Sequence, residues 1–334
     1  MSYKQILKDI DNKIFYPIYI LSGREPYYID MISDYIAKHT LSEEEKTFNQ
    51  TIVYGKDSDV QTIVQMAKRF PMMANHQLVI VKEAQDLKKI EDLHFYAENP
   101  LKSTVLVICY KYKSFPKTSK FYKLAKSHGC IFDSPLIPEY KIHSWIREYV
   151  TSKSYKISDE TALLLAEYLG TKLHKITNEI SKLCTLLPVG STITNADVQK
   201  HIGISNEYNV FELEKAFGQK DVLKVYRILQ SFASNPKANP SIVTITKLYG
   251  YFKKVLLLYF AGNSSDAELS QITGIPPIPF VIRQYKNAQR KYPAQKLVQI
   301  ISLIREYDLK LKGVQSNAVD EGELMRELAF KILH

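Results

Sequence analysis

The chain has 334 residues, 45% of them hydrophobic and 24% charged, with a formal net charge of +10. That balance describes a soluble globular protein of two or three domains. No apolar run approaches the ~20 residues a membrane span requires, and the basic excess fits work beside nucleic acid.

The N-terminal stretch Met1–Ile10 reads as an amphipathic helix rather than a secretion signal. Tyr16-Pro17-Ile18-Tyr19-Ile20-Leu21-Ser22-Gly23 then reads as a buried strand and tight turn, and Pro26 opens a helix at its first position. A mononucleotide-binding domain begins this way. A working phosphate loop, however, needs Gly-rich backbone followed by Lys and Ser/Thr. This turn offers Gly23 alone, so the architecture of a nucleotide motor is present without its chemistry.

Further strands are expected at Phe48–Tyr54, Gln77–Lys82, Thr104–Tyr110 and Cys130–Asp133, each separated from the next by a helix-length segment. The runs Gln77–Val81 and Thr104–Ile108 are almost continuously apolar, as strands covered on both faces should be. Ahead of them a helix over 57–69 places Val60, Ile63, Val64 and Ala67 on one face. The pattern predicts a doubly wound α/β fold with a mostly parallel sheet.

Past Pro135 and Pro138 no convincing strand is expected. Helices are predicted over 139–153, 158–169, 172–187 and 194–201, with Ser158 as an N-cap lacking a full capping box. Gly203–Asn209 reads as a polar linker, and the remainder as all helical: 211–217, 221–234, 239–262, 265–272, 279–291, 294–312 and 318–333. Pro276-Pro277-Ile278-Pro279 forces a break. Cys109, Cys130 and Cys184 show no Cys-x-x-Cys spacing and no nearby histidine cluster, which suggests reduced thiols and gives no case for a metal.

Taken whole, the chain resembles the delta-subunit family of bacterial DNA polymerase III, the clamp-opening subunits of replicative clamp loaders. The residues that carry the resemblance are Tyr19–Tyr27, Pro71–Glu83, Asn178–Leu183, Asn206–Leu213 and Tyr307–Gly313, in that order over nearly the full length. The resemblance implies an AAA+-like α/β domain over 1–138, a small helical lid over 139–207 and an all-helical collar over 208–334. The collar would join the other loader subunits, gamma/tau and delta prime, in a ring-like pentamer. It further implies binding to the sliding clamp, action on primed DNA within the assembly, and a cytoplasmic, nucleoid-associated location.

Against that family's ATPase relatives, three parts of a nucleotide site are missing. The phosphate loop is degenerate. Lys82 stands where the second nucleotide motif places its Mg²⁺-organising Asp, and an ammonium there repels the metal that Glu83 alone cannot hold. No Ser-Arg-Cys arginine-finger signature occurs, and the lid segment Leu169–Lys175 offers only Lys172 and Lys175. No bound nucleotide, cofactor or metal is therefore expected, and no ATPase activity, although the subunit would belong to a polymerase holoenzyme. An active AAA+ NTPase of the helicase-loader type and a stand-alone nucleic-acid-binding protein are the competing readings.

Phe70-Pro71-Met72-Met73 occupies the position where the family carries a hydrophobic wedge for a pocket on the clamp. Met72 and Met73 match the wedge pair, where many relatives carry Leu-Phe. Methionine suits the task because its flexible thioether adapts to apolar pockets. From the residues alone, two methionines ahead of a strand read first as core filling. Seven lysines lie between Lys102 and Lys126 with no acidic residue. Among them Lys111, Lys113, Lys117, Lys120 and Lys123, interleaved with aromatics, either track DNA phosphates or form a solvated face. A second basic surplus, from Lys247 to Lys312, leaves the same choice open.

Overall fold

The computed structural model describes residues 1–202, 208–237, 239–262, 264–314 and 320–334. The chain divides into two units, Met1–Ile137 and Pro138–His334.

The apolar runs of the first unit become its sheet. In chain order this unit contains α1 (Tyr3–Asp11), β1 (Ile18–Gly23), α2 (Pro26–His39), α3 (Glu43–Asn49), β2 (Gln50–Tyr54) and α4 (Val60–Ala67). It continues with β3 (Gln77–Lys82), α5 (His94–Ala97), β4 (Thr104–Lys111), α6 (Lys120–His128) and β5 (Cys130–Ser134). The five strands are all parallel, in the order β2-β3-β4-β1-β5. Successive side chains of each central strand serve opposite faces. Ile18, Ile20, Val79, Val81, Leu106 and Ile108 join Val60, Ile63 and Phe121 in one core. Tyr19, Leu21, Leu78, Ile80, Val105 and Val107 join Ile6, Ile10, Ile29, Ile32 and Ile36 in the other. Cys109 and Cys130 are buried in this second core, where desolvation pushes their thiols up to about 11 and about 12.

The strand expected over Phe48–Tyr54 is shorter than its apolar content suggests. Ser42 and Glu45 form a capping box that starts α3, so Phe48 and Asn49 close a helix and the strand begins at Gln50.

The second unit is helical, as expected, with one departure. It opens with α7 (Ile142–Ser152), β6 (Lys156–Ile157), α8 (Asp159–Leu169), α9 (Leu173–Leu186), β7 (Thr192–Ile193) and α10 (Asn195–Ile202). Past Glu139 the sequence suggested no strand, yet β6 and β7 pair in parallel. Each is two residues long, too short for alternation or an apolar run to register. Ser158 caps α8 as expected, accepting from the Thr161 N–H at 3.1 Å. Trp145 stacks on Tyr149 along α7, with ring centroids 5.2 Å apart. Of the expected linker, 203–207 lies outside the described residues.

The chain continues through α11 (Val210–Gln219), α12 (Val222–Ser234), α13 (Ser241–Ala261), α14 (Asp266–Thr273), α15 (Pro279–Lys291), α16 (Ala294–Leu311) and α17 (Glu321–Leu333). Their apolar faces meet in one cluster that includes Phe217, Phe252, Tyr292 and Leu328. Glu214 of α11 is buried and lines a cavity of about 330 Å³ with Phe211, Tyr251, Tyr285 and Arg290. Desolvation, reinforced by the nearby Glu167 charge, drives its carboxyl well above the usual carboxylate range despite Lys254 and Lys247.

Candidate functional site

In open parallel sheets ligands bind beyond the carboxyl ends of the strands, near the point where neighbouring connections diverge. Here that point is the pair β1 and β4, where Gly23 lies in register with Lys111. The side chains of the protein itself occupy this place. Gly23 has φ +139°, and a Cβ on it would lie 2.2 Å from the Ser134 carbonyl oxygen. The glycine is therefore required by the close approach of β1 to the end of β5. Immediately after it, the buried Glu25 caps α2: its carboxylate accepts from the Tyr27 N–H at 3.0 Å, and its own N–H donates to the Ser134 carbonyl at 3.0 Å. The positive end of the helix, where a phosphate would bind, faces a built-in carboxylate.

The neighbouring strand ends are closed by ion pairs. Lys82 Nζ, at the end of β3, lies 2.9 Å from Asp34 and 3.9 Å from Asp30. Lys111 Nζ, at the end of β4, lies 2.8 Å from Asp30 and 2.9 Å from Glu83. Asp30 and Asp34 are one turn apart on α2, so a single helix face supplies both acceptors. Gln85 completes the arrangement, accepting from the Lys111 N–H at 3.0 Å and donating to Glu83 at 2.6 Å. Burial works to raise the Glu83 carboxyl, but the bonds from Lys111 and Gln85 outweigh it and hold it below the usual value. Burial likewise opposes charge on Lys111, and its hydrogen bonds to Asp30 and Glu83 override this and raise its pKa. Among the described residues, no group of three or more His, Cys, Asp or Glu is arranged to hold a metal ion.

Lys111 thus parts from the lysines with which the sequence grouped it. It is 8% exposed, and its ammonium is committed to the ion pairs. The other four are at the surface: Lys113 over the Tyr110 ring at 5.4 Å, Lys120 bridged to Glu98 at 2.6 Å, and Lys117 and Lys123 exposed.

The loop between α4 and β3 carries the other expected group. Phe70 is 76% exposed, Met72 63%, and Met73 fully exposed, while Pro71 is half-buried. None of the four belongs to a core cluster, which removes the core-filling reading for the free chain. Both ends of the loop are fixed. Thr104 Oγ1 donates to the Ala67 carbonyl at 2.8 Å, and the Gln77 N–H donates to the Ser103 carbonyl at 2.8 Å. Ala74 packs against the second core of the sheet.

Sequence reasoning missed Asn49. This buried side chain accepts from the Met72 N–H at 2.6 Å and donates to the Met72 carbonyl at 2.9 Å. Its neighbour Phe48, also overlooked, is 68% exposed. The Ser-x-x-Glu box at 42–45 is the signal that would have placed both at a helix end.

The first unit is thus a parallel α/β sheet with paired charges at the carboxyl ends of its strands, and the second unit is mostly helical. Residues 19–134 match the family described as DNA polymerase III, delta subunit. DNA polymerase III subunit delta of Bacillus subtilis (strain 168) is 24% identical over 318 residues, covering 92% of this chain and 91% of that protein. The solved structure of the Bacillus subtilis DNA clamp loader delta protein superimposes with a TM-score of 0.61 at 22% identity, covering 99% of each chain. Over these spans the chain is similar to clamp-loader delta subunits. Among the described residues no helix is long and apolar enough to cross a membrane.

Proposed function

We propose that this chain binds the sliding clamp of its organism through the Phe70–Met73 loop and opens it during loading onto primed DNA, in support of processive replication. The observation that carries this reading is the exposure of Met72 and Met73 on a loop held at both ends. Two adjacent apolar side chains have no folding use in water. Burying them in a partner's pocket contributes about 1.5–3 kcal/mol each before ordering costs.

A subunit without hydrolysis opens a ring by preferring the distorted clamp interface to the closed one. Any switch then lies in ATP-binding partners, gamma/tau and delta prime in this reading, which would expose or cover the loop. In that assembly 139–207 serves as the lid and 208–334 as the collar. Lys113, Lys117, Lys120 and Lys123 supply surface charge for backbone phosphates. The cytoplasm, at the nucleoid, is the place of action. The self-filled strand ends support a subunit that neither binds nor hydrolyses ATP.

The test is a binding titration of the full chain against immobilised sliding clamp. Met72→Ala with Met73→Ala should weaken binding at least tenfold, the equivalent of about 1.4 kcal/mol. Unchanged affinity would remove the wedge assignment.

A further inference from the structure

We infer that Asn49 is a positioning residue that holds the clamp-binding loop in its competent shape before the clamp arrives. The inference rests on the wedge reading of Met72 and Met73. It concerns a residue on a different element, the last of α3.

A loop backbone that leaves its helix must find partners for each N–H and C=O or leave them to water. At Met72 one side chain supplies both. The Asn49 carboxamide oxygen takes the Met72 N–H at 2.6 Å, and its NH₂ gives one proton to the Met72 carbonyl at 2.9 Å. The second proton goes to the Glu45 carbonyl at 3.1 Å, which ties the amide to the last turn of α3. Asn49 thus does for Met72 what a paired residue does in a ladder, at a place where no strand runs. Its side chain is 1% exposed, whereas the Met72 side chain is 63% exposed. The anchor is dry and the presented group is wet.

The residue beyond the anchor shows what is being held. Met73 has φ +52°, the left-handed region that non-glycine residues seldom enter. Such a conformation persists where surrounding bonds fix the chain. Here those are the Asn49 bonds to Met72 and the packing of Ala74 in the sheet core. Other side chains serve poorly at position 49. Alanine offers neither bond, and aspartate accepts from the N–H but turns lone pairs toward two carbonyl oxygens. A loop ordered beforehand loses less conformational freedom on binding, so affinity falls when the anchor goes even though no contact with the clamp is removed.

The experiment uses the full chain, the sliding clamp as probe and two readouts. The first is amide hydrogen exchange of the free protein. In the wild type the Met72 amide should be protected like a bonded backbone group, and in Asn49→Ala it should exchange at least tenfold faster while β3 and β4 amides keep their protection. The second is clamp affinity, which should fall about tenfold in Asn49→Ala at a temperature where the variant is fully folded. A role confined to overall stability would lower the melting temperature and leave that affinity unchanged.

Wild-type affinity in Asn49→Ala, alongside lost binding in Met72→Ala/Met73→Ala, overturns the Asn49 assignment and leaves the wedge reading in place. Undamaged binding in the methionine variant overturns both. Should Asn49→Ala fail to fold, the wild-type exchange measurement still decides: an unprotected Met72 amide overturns the assignment, and a protected one supports it.

Discussion

Lys111, the last residue of β4, and Asp30, in the second turn of α2, meet 2.8 Å apart at the carboxyl end of the sheet. The ion pair closes the strand ends where ligands of open parallel sheets usually sit.

Removing the cation should therefore destabilise the first unit. Lys111→Met leaves Asp30 and Glu83 without their shared partner. Breaking a fully buried pair costs about 3–5 kcal/mol. These carboxylates are 23% and 31% exposed, so about 1–3 kcal/mol is expected from urea unfolding at pH 7. The pH dependence follows in sign. Glu83 is held below its ordinary 4.5, so its contribution is present above that pH and lost as pH falls through the lower folded value. Lys111 is raised from 10.5, so its contribution is complete below that pH and lost only as pH rises past the folded value. The penalty in Lys111→Met should stay flat from pH 6 to pH 10 and shrink on acidification. A penalty that grows in acid would contradict the pairing.

Nucleotide should leave the protein unmoved. Saturating a site at a hundred times its dissociation constant adds about 2.7 kcal/mol of stability. With Glu25 at the head of α2 and lysines fixed at both strand ends, millimolar Mg²⁺-ATP is expected to shift the thermal midpoint by less than about 1 °C. A rise of several degrees, abolished by chelator, would contradict the proposal.

Gly23→Ala should abolish or cripple folding of the first unit, by more than about 3 kcal/mol, because the new Cβ would meet the Ser134 carbonyl at 2.2 Å. The same change at an ordinary phosphate loop would be read first in ligand affinity. Circular dichroism and solubility of the purified variant distinguish the two. A stable, well-folded Gly23→Ala protein would show that β1 and β5 are not so closely juxtaposed.

Glu214→Gln should stabilise the helical unit at neutral pH. A buried carboxyl whose pKa is raised binds its proton more tightly when folded than when unfolded. Its cost therefore grows as pH climbs above the ordinary 4.5 toward the folded value. Glutamine carries no such charge. A gain of about 2–4 °C at pH 7.5, vanishing near pH 4.5, is the expected outcome of paired thermal scans. A loss at pH 7.5 would mean that Lys254 and Lys247 more than compensate the ionised group.

Much of this was legible in the residues. Strands β3 and β4 have no polar interruption because both faces are covered, and their limits could be read almost to the residue. Edge strand β2 is half-exposed, so its signal merged with the end of α3 and hid Asn49. The two methionines could be located but not assigned to core or solvent, since apolar content ahead of a strand is the same in both cases. Lys111 was misplaced for a related reason. Seven lysines in a row of positions look like one surface, and only the fold shows that one of them, at the end of β4, pairs with Asp30 of α2. The i, i+4 spacing of Asp30 and Asp34, set against lysines at two strand ends, was the available clue.

The chain has a single tryptophan, and it lies in the second unit, stacked on Tyr149. Indole emission excited at long wavelength therefore reports on the surroundings of α7 in the second unit. Melting around α7 can be followed optically without labelling, separately from the far-ultraviolet signal, which sums over every helix and strand.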